Sequence, residues 1–347
     1  MQQMYSGADS LSALAETQAC NREFFRLLAG YLNECPTLVR RELIGELTAS
    51  CNVSEREAFC AVLSAAFGWE EEQNERHRRL YREYLSPAVH RLDPALYRAD
   101  PYYQNVRICD RRLGKWRLQE ARYEPYEGFV CGPLTVTQQL AEIPPIGYFA
   151  EGFSYPMVLE DGVEWMAVKP NEIETMRAPI AASHGKVLTY GLGLGYFAYL
   201  AARRPEVSSV TVVEREKDVI ALFKQELLPQ MEVREKIRVV EADAFAFASS
   251  PAARGFDYVF CDLWHDASDG LPLYVRMRKI EERQPDPPYV YWVEDMILSR
   301  LRAMVYDSIS AGGDGTTDLR QISHMLTDAY LRRLAPDLRA VEEKESL

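Results

Sequence analysis

Val187-Leu188-Thr189-Tyr190-Gly191-Leu192-Gly193-Leu194-Gly195-Tyr196-Phe197-Ala198 is the stretch that decides how this chain folds. Residues 187–190 read as a short apolar strand and residues 196–204 as the helix after it, ended by Pro205. Glycines at alternate positions directly after a strand let the backbone turn sharply and come close to a ligand. The helix that follows then points its positive end at that ligand. A dinucleotide-binding GxGxxG loop would need glycine at 196, where Tyr196 stands.

Working outward, the alternation continues. Residues 210–213, 237–240, Tyr258–Cys261 and 289–293 read as further strands, and 218–228 as a second helix. Strands alternating with helices at this spacing predict an α/β fold with a doubly wound, mostly parallel sheet, whose ligand sits beyond the carboxyl ends of the strands. Upstream, residues 1–104 read as a helical N-terminal domain. Leu11, Leu14, Phe24, Phe25, Leu27, Leu28, Tyr31 and Leu32 fall largely at helical steps, a capping box joins Ser54 to Glu57, and residues 69–85 predict a charged, solvated helix. Residues 105–170, rich in proline, glycine and aromatics, predict a small β unit. Its clearest element is a hairpin over 157–168, turning at Asp161-Gly162. Residues 171–347 form the α/β domain with a helical C-terminal extension, and in its linking helix Pro179 should break or kink the chain.

Acidic residues stand on the strand ends that such a fold turns toward its ligand. Glu214 ends the second strand, where a carboxylate can accept both hydroxyls of a ribose. Asp243 follows the third, where its carboxylate can take an adenine amino group while the Ala244 amide meets the ring. Asp262 ends the fourth, where the reactive part of a ligand should lie. Each alone reads more readily as a helix cap or a solvated charge. Together with the glycine loop, in order on four successive strand ends, they read as a site.

The hairpin, the linking helix, the glycine loop, Val212-Val213-Glu214-Arg215-Glu216, Ala242-Asp243-Ala244 and the strand ending in Asp262 together resemble the spermidine synthase-like branch of class I S-adenosylmethionine-dependent methyltransferases, over about residues 155–295. The resemblance implies a Rossmann-like methyltransferase fold and S-adenosylmethionine as cofactor, held by Gly191, Leu192, Gly193, Gly195, Glu214, Arg215, Asp243, Ala244 and Asp262. Polyamine synthases of that branch carry an acidic residue in the glycine loop and an Asp-x-x-Asp pair after the fourth strand. Here Leu194 and His265 occupy those places, with Asp266 one position later. Gly312-Gly313-Asp314-Gly315 looks like the missing loop but follows a helix, and reads as a surface turn.

The expected function is methyl transfer to a small acceptor, an amine being one candidate. Asp262 would orient the acceptor or the amino end of the cofactor, and His265 or Asp266 would accept a proton. Trp264 and Tyr148 are candidate substrate contacts: Trp264 could stack on a cation or fill the pocket mouth, and Tyr148, Phe149, Phe153 and Tyr155 could form a lid or a core. Aminopropyl transfer from decarboxylated S-adenosylmethionine is the alternative, and a non-catalytic nucleoside-binding scaffold the third reading. A net charge of −12 disfavours nucleic acid as partner. The seven cysteines are scattered without a metal-ligand spacing, so no metal is expected and free thiols are. No apolar run is long enough for a membrane span and the N-terminus does not read as a secretory signal, so the expected location is the cytoplasm. A small-molecule substrate is the expected partner, with a homodimer as one expected assembly.

Overall fold

The computed structural model describes residues 7–265, 267–284 and 286–310. The described residues divide into two compact units, the first of residues 7–92, 123–153 and 298–310, the second of those within 93–122 and 154–297. The stretch 105–170 is therefore shared out between them. Its ends, 105–122 and 154–170, join the second unit and its middle joins the first, because non-local strand pairing outweighs adjacency along the chain.

The second unit holds two sheets. Strands β1 (Arg111–Leu113), β2 (Trp116–Tyr123), β3 (Phe153–Glu160) and β4 (Val163–Ala167) lie side by side in that order. β3 and β4 form the expected hairpin, and Asp161 and Gly162 both take positive φ (49° and 86°), as a tight Asp-Gly turn requires. Helix α1 (Pro170–Ala182) follows and is not broken at Pro179, whose carbonyl accepts the Ser183 amide at 3.1 Å and the Tyr258 hydroxyl at 2.9 Å.

The parallel sheet is built from β5 (Gly185–Tyr190), α2 (Tyr196–Ala202), β6 (Val207–Glu214), α3 (Lys217–Leu222), β7 (Ile237–Glu241), α4 (Ala244–Ala248), β8 (Tyr258–Cys261), α5 (Ala267–Glu281) and β9 (Tyr289–Tyr291). The strand order is β7-β6-β5-β8-β9, with every pairing parallel. The order reverses at β5, so the switch point, where open α/β sheets bind ligands, lies at the ends of β5 and β8. Val187, Leu188, Val210, Val212, Val259 and Phe260 are buried, as expected of strands covered on both faces.

The first unit packs helices Gly7–Glu34, Arg41–Cys51, Glu55–Ala66 and Glu75–Leu80 around Phe24, Phe59, Leu63 and Tyr84. The Ser54–Glu57 capping box forms as the sequence predicts. The charged helix does not begin at Trp69. It begins after Asn74, whose side chain caps it, while Trp69, Leu80, Tyr84 and Leu85 are buried instead of solvated. A polar cluster completes this core. Asn21 accepts from the Tyr84 hydroxyl (2.9 Å) and the Glu142 amide (3.0 Å), and the buried Glu142 carboxylate meets the Ser299 hydroxyl at 2.5 Å and Arg302 at 2.9 Å.

Candidate active site

The glycine loop leaves β5 in a backbone that only glycine holds without strain. Gly191 (φ 97°) lies so close to Asp262 that an added Cβ would stand 1.9 Å from the Asp262 carbonyl oxygen. A Cβ at Gly193 (φ 49°) would stand 2.0 Å from the Met166 sulfur. Strand β4 therefore lies against the loop, and the Leu194 amide donates to Met166 Sδ at 3.1 Å.

Glu214 stands at the carboxyl end of β6, partly buried. Its Oε2 accepts from the Leu192 amide at 3.2 Å, and its Oε1 from the amides of Arg215 (2.7 Å) and Glu216 (2.9 Å). The carboxylate ties the second strand end to the glycine loop. An ionised carboxylate has about four acceptor positions, so three are filled and one on Oε2 is open to a ligand hydroxyl. The side chain of Arg215 is exposed.

Asp243 is exposed and caps α4, accepting from the Ala246 amide at 2.8 Å through Oδ1. The cap uses one oxygen and leaves the other free. Ala244 beside it is buried.

Asp262 follows β8, partly buried, with its amide bonded to the Tyr190 carbonyl at 2.9 Å. Burial, and then the nearby charge of Glu214, pushes its carboxyl up to about 7. A further carboxyl, on which the charge of Asp262 bears, was not among the sequence-predicted residues. Glu172, in the first turn of α1, is only 7% exposed. Burial raises its carboxyl well above the ordinary range, and the charges of Asp262 and then Glu164 add to this while Lys169 opposes it. Lys169 pairs with Glu164 at 2.5 Å. The signal for Glu172 was present in the helical spacing: it shares a face with Ile173 and Met176, both buried, and a carboxylate on an apolar face is a candidate for work.

His265 is exposed, and its Nε2 lies 2.8 Å from the Glu164 carbonyl, so the neutral ring donates from Nε2 and keeps Nδ1 as acceptor. Its ring stands 5.9 Å from that of Trp165, and its amide donates to Asp269. Asp266 lies outside the described residues, as do Gly312 to Gly315. Trp264 is 4% exposed, gives its indole N–H to the Trp292 carbonyl at 3.2 Å and stacks near Tyr291, so it packs as a core residue. Tyr148 belongs to the first unit, fully buried and stacked on Phe59 at 4.3 Å. It is a core residue of that unit. Phe149, Phe153 and Tyr155 are likewise buried. Among the described residues no group of His, Cys, Asp and Glu is arranged to hold a metal ion, and no helix is long and apolar enough to cross a membrane.

Neither a protein-family model nor a curated protein matches the chain. Among solved structures it is similar to spermidine synthase from Thermotoga maritima, at 16% identity over 36% of this chain and 44% of that one, with a TM-score of 0.29. It is also similar to MNMC2 from Aquifex aeolicus, at 15% identity over 44% of this chain and 60% of that one, with a TM-score of 0.30. The chain thus spans less than two thirds of either. At these values the likeness bears on neither substrate nor reaction.

Proposed function

We propose that the second unit is an S-adenosylmethionine-dependent transferase that methylates a small, amine-bearing acceptor. The observation that carries this reading is the bond between Glu214 and the Leu192 amide, which fixes a carboxylate with one open acceptor position beside a glycine loop at the sheet's switch point. A nucleoside with a free ribose hydroxyl suits that position, and Asp243 keeps one carboxylate oxygen free for an adenine amino group. The sulfonium cofactor supplies an already activated methyl group. The chain then has only to align donor and acceptor and exclude water, a contribution of up to ~7–11 kcal/mol. Leu192, Gly193 and Glu214 would hold the nucleoside, Asp262 would orient the acceptor, and His265 Nδ1 is the remaining proton acceptor nearby.

A second reading is favoured by one observation. Glu164, Glu172, Glu214 and Asp262 gather near the loop with Lys169 as their nearby cation, an environment that disfavours a donor carboxylate. Decarboxylated S-adenosylmethionine lacks that carboxylate, and with it the reaction would be aminopropyl transfer. Incubating the protein with each donor and a panel of primary amines separates the two, because methyl transfer yields S-adenosylhomocysteine and aminopropyl transfer yields methylthioadenosine. Absence of binding to either donor and either product by calorimetry would sink both readings and leave a scaffold.

A further inference from the structure

The carbonyl of Leu194, inside the glycine loop, is bonded from outside the parallel sheet. Tyr102, in the short helix Pro101–Asn105, is fully buried, and its hydroxyl donates to that carbonyl at 2.9 Å. Burial raises the hydroxyl above the ordinary tyrosine range, so it stays protonated and donates throughout neutral pH. Tyr102 is held at its other end as well. Asp100 caps the short helix by accepting the Tyr102 amide at 2.8 Å, and the same carboxylate accepts the hydroxyl of Tyr196, the first residue of α2, at 2.9 Å. The Tyr102 and Tyr196 rings lie 5.6 Å apart, and Tyr199 meets Tyr102 edge-on at 6.2 Å. One tyrosine thus reaches from the short helix to the loop, while another reaches back from the loop's own helix.

The bonds of the loop's backbone show what that contact controls. The Gly191 amide donates to the Val213 carbonyl (3.0 Å), the Leu192 amide to Glu214 (3.2 Å), the Leu194 amide to Met166 Sδ (3.1 Å) and the Gly195 amide to the Leu192 carbonyl (2.8 Å). The Gly193 amide, on a partly exposed residue, has no partner among the described residues. Both backbone groups of Leu194 are therefore taken by side chains, Met166 on one and Tyr102 on the other. The peptide joining Leu194 to Gly195 is bonded to Tyr102 through its oxygen and closes the turn onto Leu192 through its nitrogen. Without the Tyr102 hydroxyl the carbonyl of the buried Leu194 loses its donor, and a peptide that rotates to find another breaks the bond from Gly195 to Leu192. Leu192 and Gly193 then move together.

We infer that Tyr102 is a positioning residue for the nucleoside site: through the Leu194 carbonyl it sets the turn that presents Leu192 and Gly193, with Glu214 beside them, to the ligand. This rests on the transferase reading above and adds to it a residue outside the stretch 155–295 that carries the resemblance. A space-filling role would need the ring and not the hydroxyl. Phenylalanine at 102 separates the two.

The test compares two tyrosine-to-phenylalanine variants of the full chain. Tyr258, also buried, donates to the Pro179 carbonyl at 2.9 Å, the same kind of bond in the same unit, but at the start of β8 and not at its carboxyl end. Both variants should melt lower than the wild type. Well below melting, Tyr102→Phe should bind S-adenosylhomocysteine at least about tenfold more weakly by calorimetry, and Tyr258→Phe should bind it as the wild type does. Hydrogen exchange of the ligand-free chain, read by mass spectrometry over residues 191–196, should quicken at least about tenfold in Tyr102→Phe and stay unchanged in Tyr258→Phe. Full nucleoside affinity in Tyr102→Phe, or equal losses in the two variants, would overturn the inference. A wild type that binds no S-adenosylhomocysteine would instead overturn the transferase reading, and the exchange comparison would still decide whether Tyr102 sets the loop. Were Tyr102→Phe not to fold, Tyr196→Phe takes its place, since it loosens the short helix from α2 without removing a loop bond. Unchanged exchange over 191–196 in that variant would overturn the inference.

Discussion

Met166 Sδ accepts the Leu194 amide at 3.1 Å, and the same sulfur occupies the space that a side chain at Gly193 would need. The β4 strand and the glycine loop are thereby fitted to each other through one flexible thioether. Gly193→Ala should destabilise the protein by about 2–5 kcal/mol, from overpacking against the sulfur plus ~1–2 kcal/mol of left-handed backbone strain. Adding Met166→Ala should restore the overpacking share and leave the strain. Urea unfolding of the two single variants and the double variant would then give a favourable coupling of about 1–3 kcal/mol. Additive values would separate Met166 from the loop.

Glu214→Ala should strike both the fold and the ligand. Removing the carboxylate leaves the amides of Leu192, Arg215 and Glu216 without their acceptor, so thermal melting should fall. Affinity for S-adenosylhomocysteine should fall by about one to two decades, the equivalent of ~1.5–3 kcal/mol for a charge-assisted bond. Calorimetry showing unchanged nucleoside binding would remove Glu214 from the ligand set.

At Asp243 capping and recognition separate by choice of substitution. Asparagine caps a helix as well as aspartate does, so Asp243→Asn should keep the melting temperature, whereas Asp243→Ala should cost about 1 kcal/mol through the lost bond to Ala246. Both should weaken S-adenosylhomocysteine, because both lose the negative charge. An Asn variant with full nucleoside affinity would leave Asp243 as a cap alone.

The raised carboxyls fix the direction of a pH effect. Asp262 and Glu172 bind protons more tightly folded than unfolded, so between the ordinary carboxylate range near pH 4 and about pH 7 the folded state holds more protons. Their contribution to stability is greatest at the acid end and is lost as pH rises, by at most about 1.4 kcal/mol per pH unit for each proton. Glu172→Gln and Asp262→Asn should therefore melt higher than the wild type at pH 8, with the gap narrowing toward pH 4.5. A gap that stayed constant with pH would mean that neither group carries the charge assigned to it.

The parallel sheet was legible because its strands are short runs of buried valine, isoleucine and leucine between helices, and because glycines at 191, 193 and 195 leave few alternatives for the turn after β5. Glu214 and Asp262 could be found by position on strand ends. Tyr148 could not be assigned, since an aromatic run reads the same in a lid and in a core, and its stacking on Phe59 joins residues distant in sequence. The division of 105–170 was hidden for the same reason. β2 lies beside β3, and nothing local in 111–123 announces a neighbour some thirty residues on. Glu172 was passed over because an acid in a first helical turn is ordinarily a favourable charge at a helix start. Its place on the apolar face of α1, with Ile173 and Met176, is what distinguishes it.

The division of the chain between two units bears on the order of synthesis. Residues 185–291, which make the parallel sheet, emerge from the ribosome as one uninterrupted stretch and can pair as they appear. The first unit cannot close so early: Glu142 is translated well before Ser299 and Arg302, the residues that neutralise it. Until they arrive, its carboxylate lacks both of these partners. The helical bundle at the front of the chain thus draws two of its polar contacts from the helix Glu294–Ser310, some 150 residues further on.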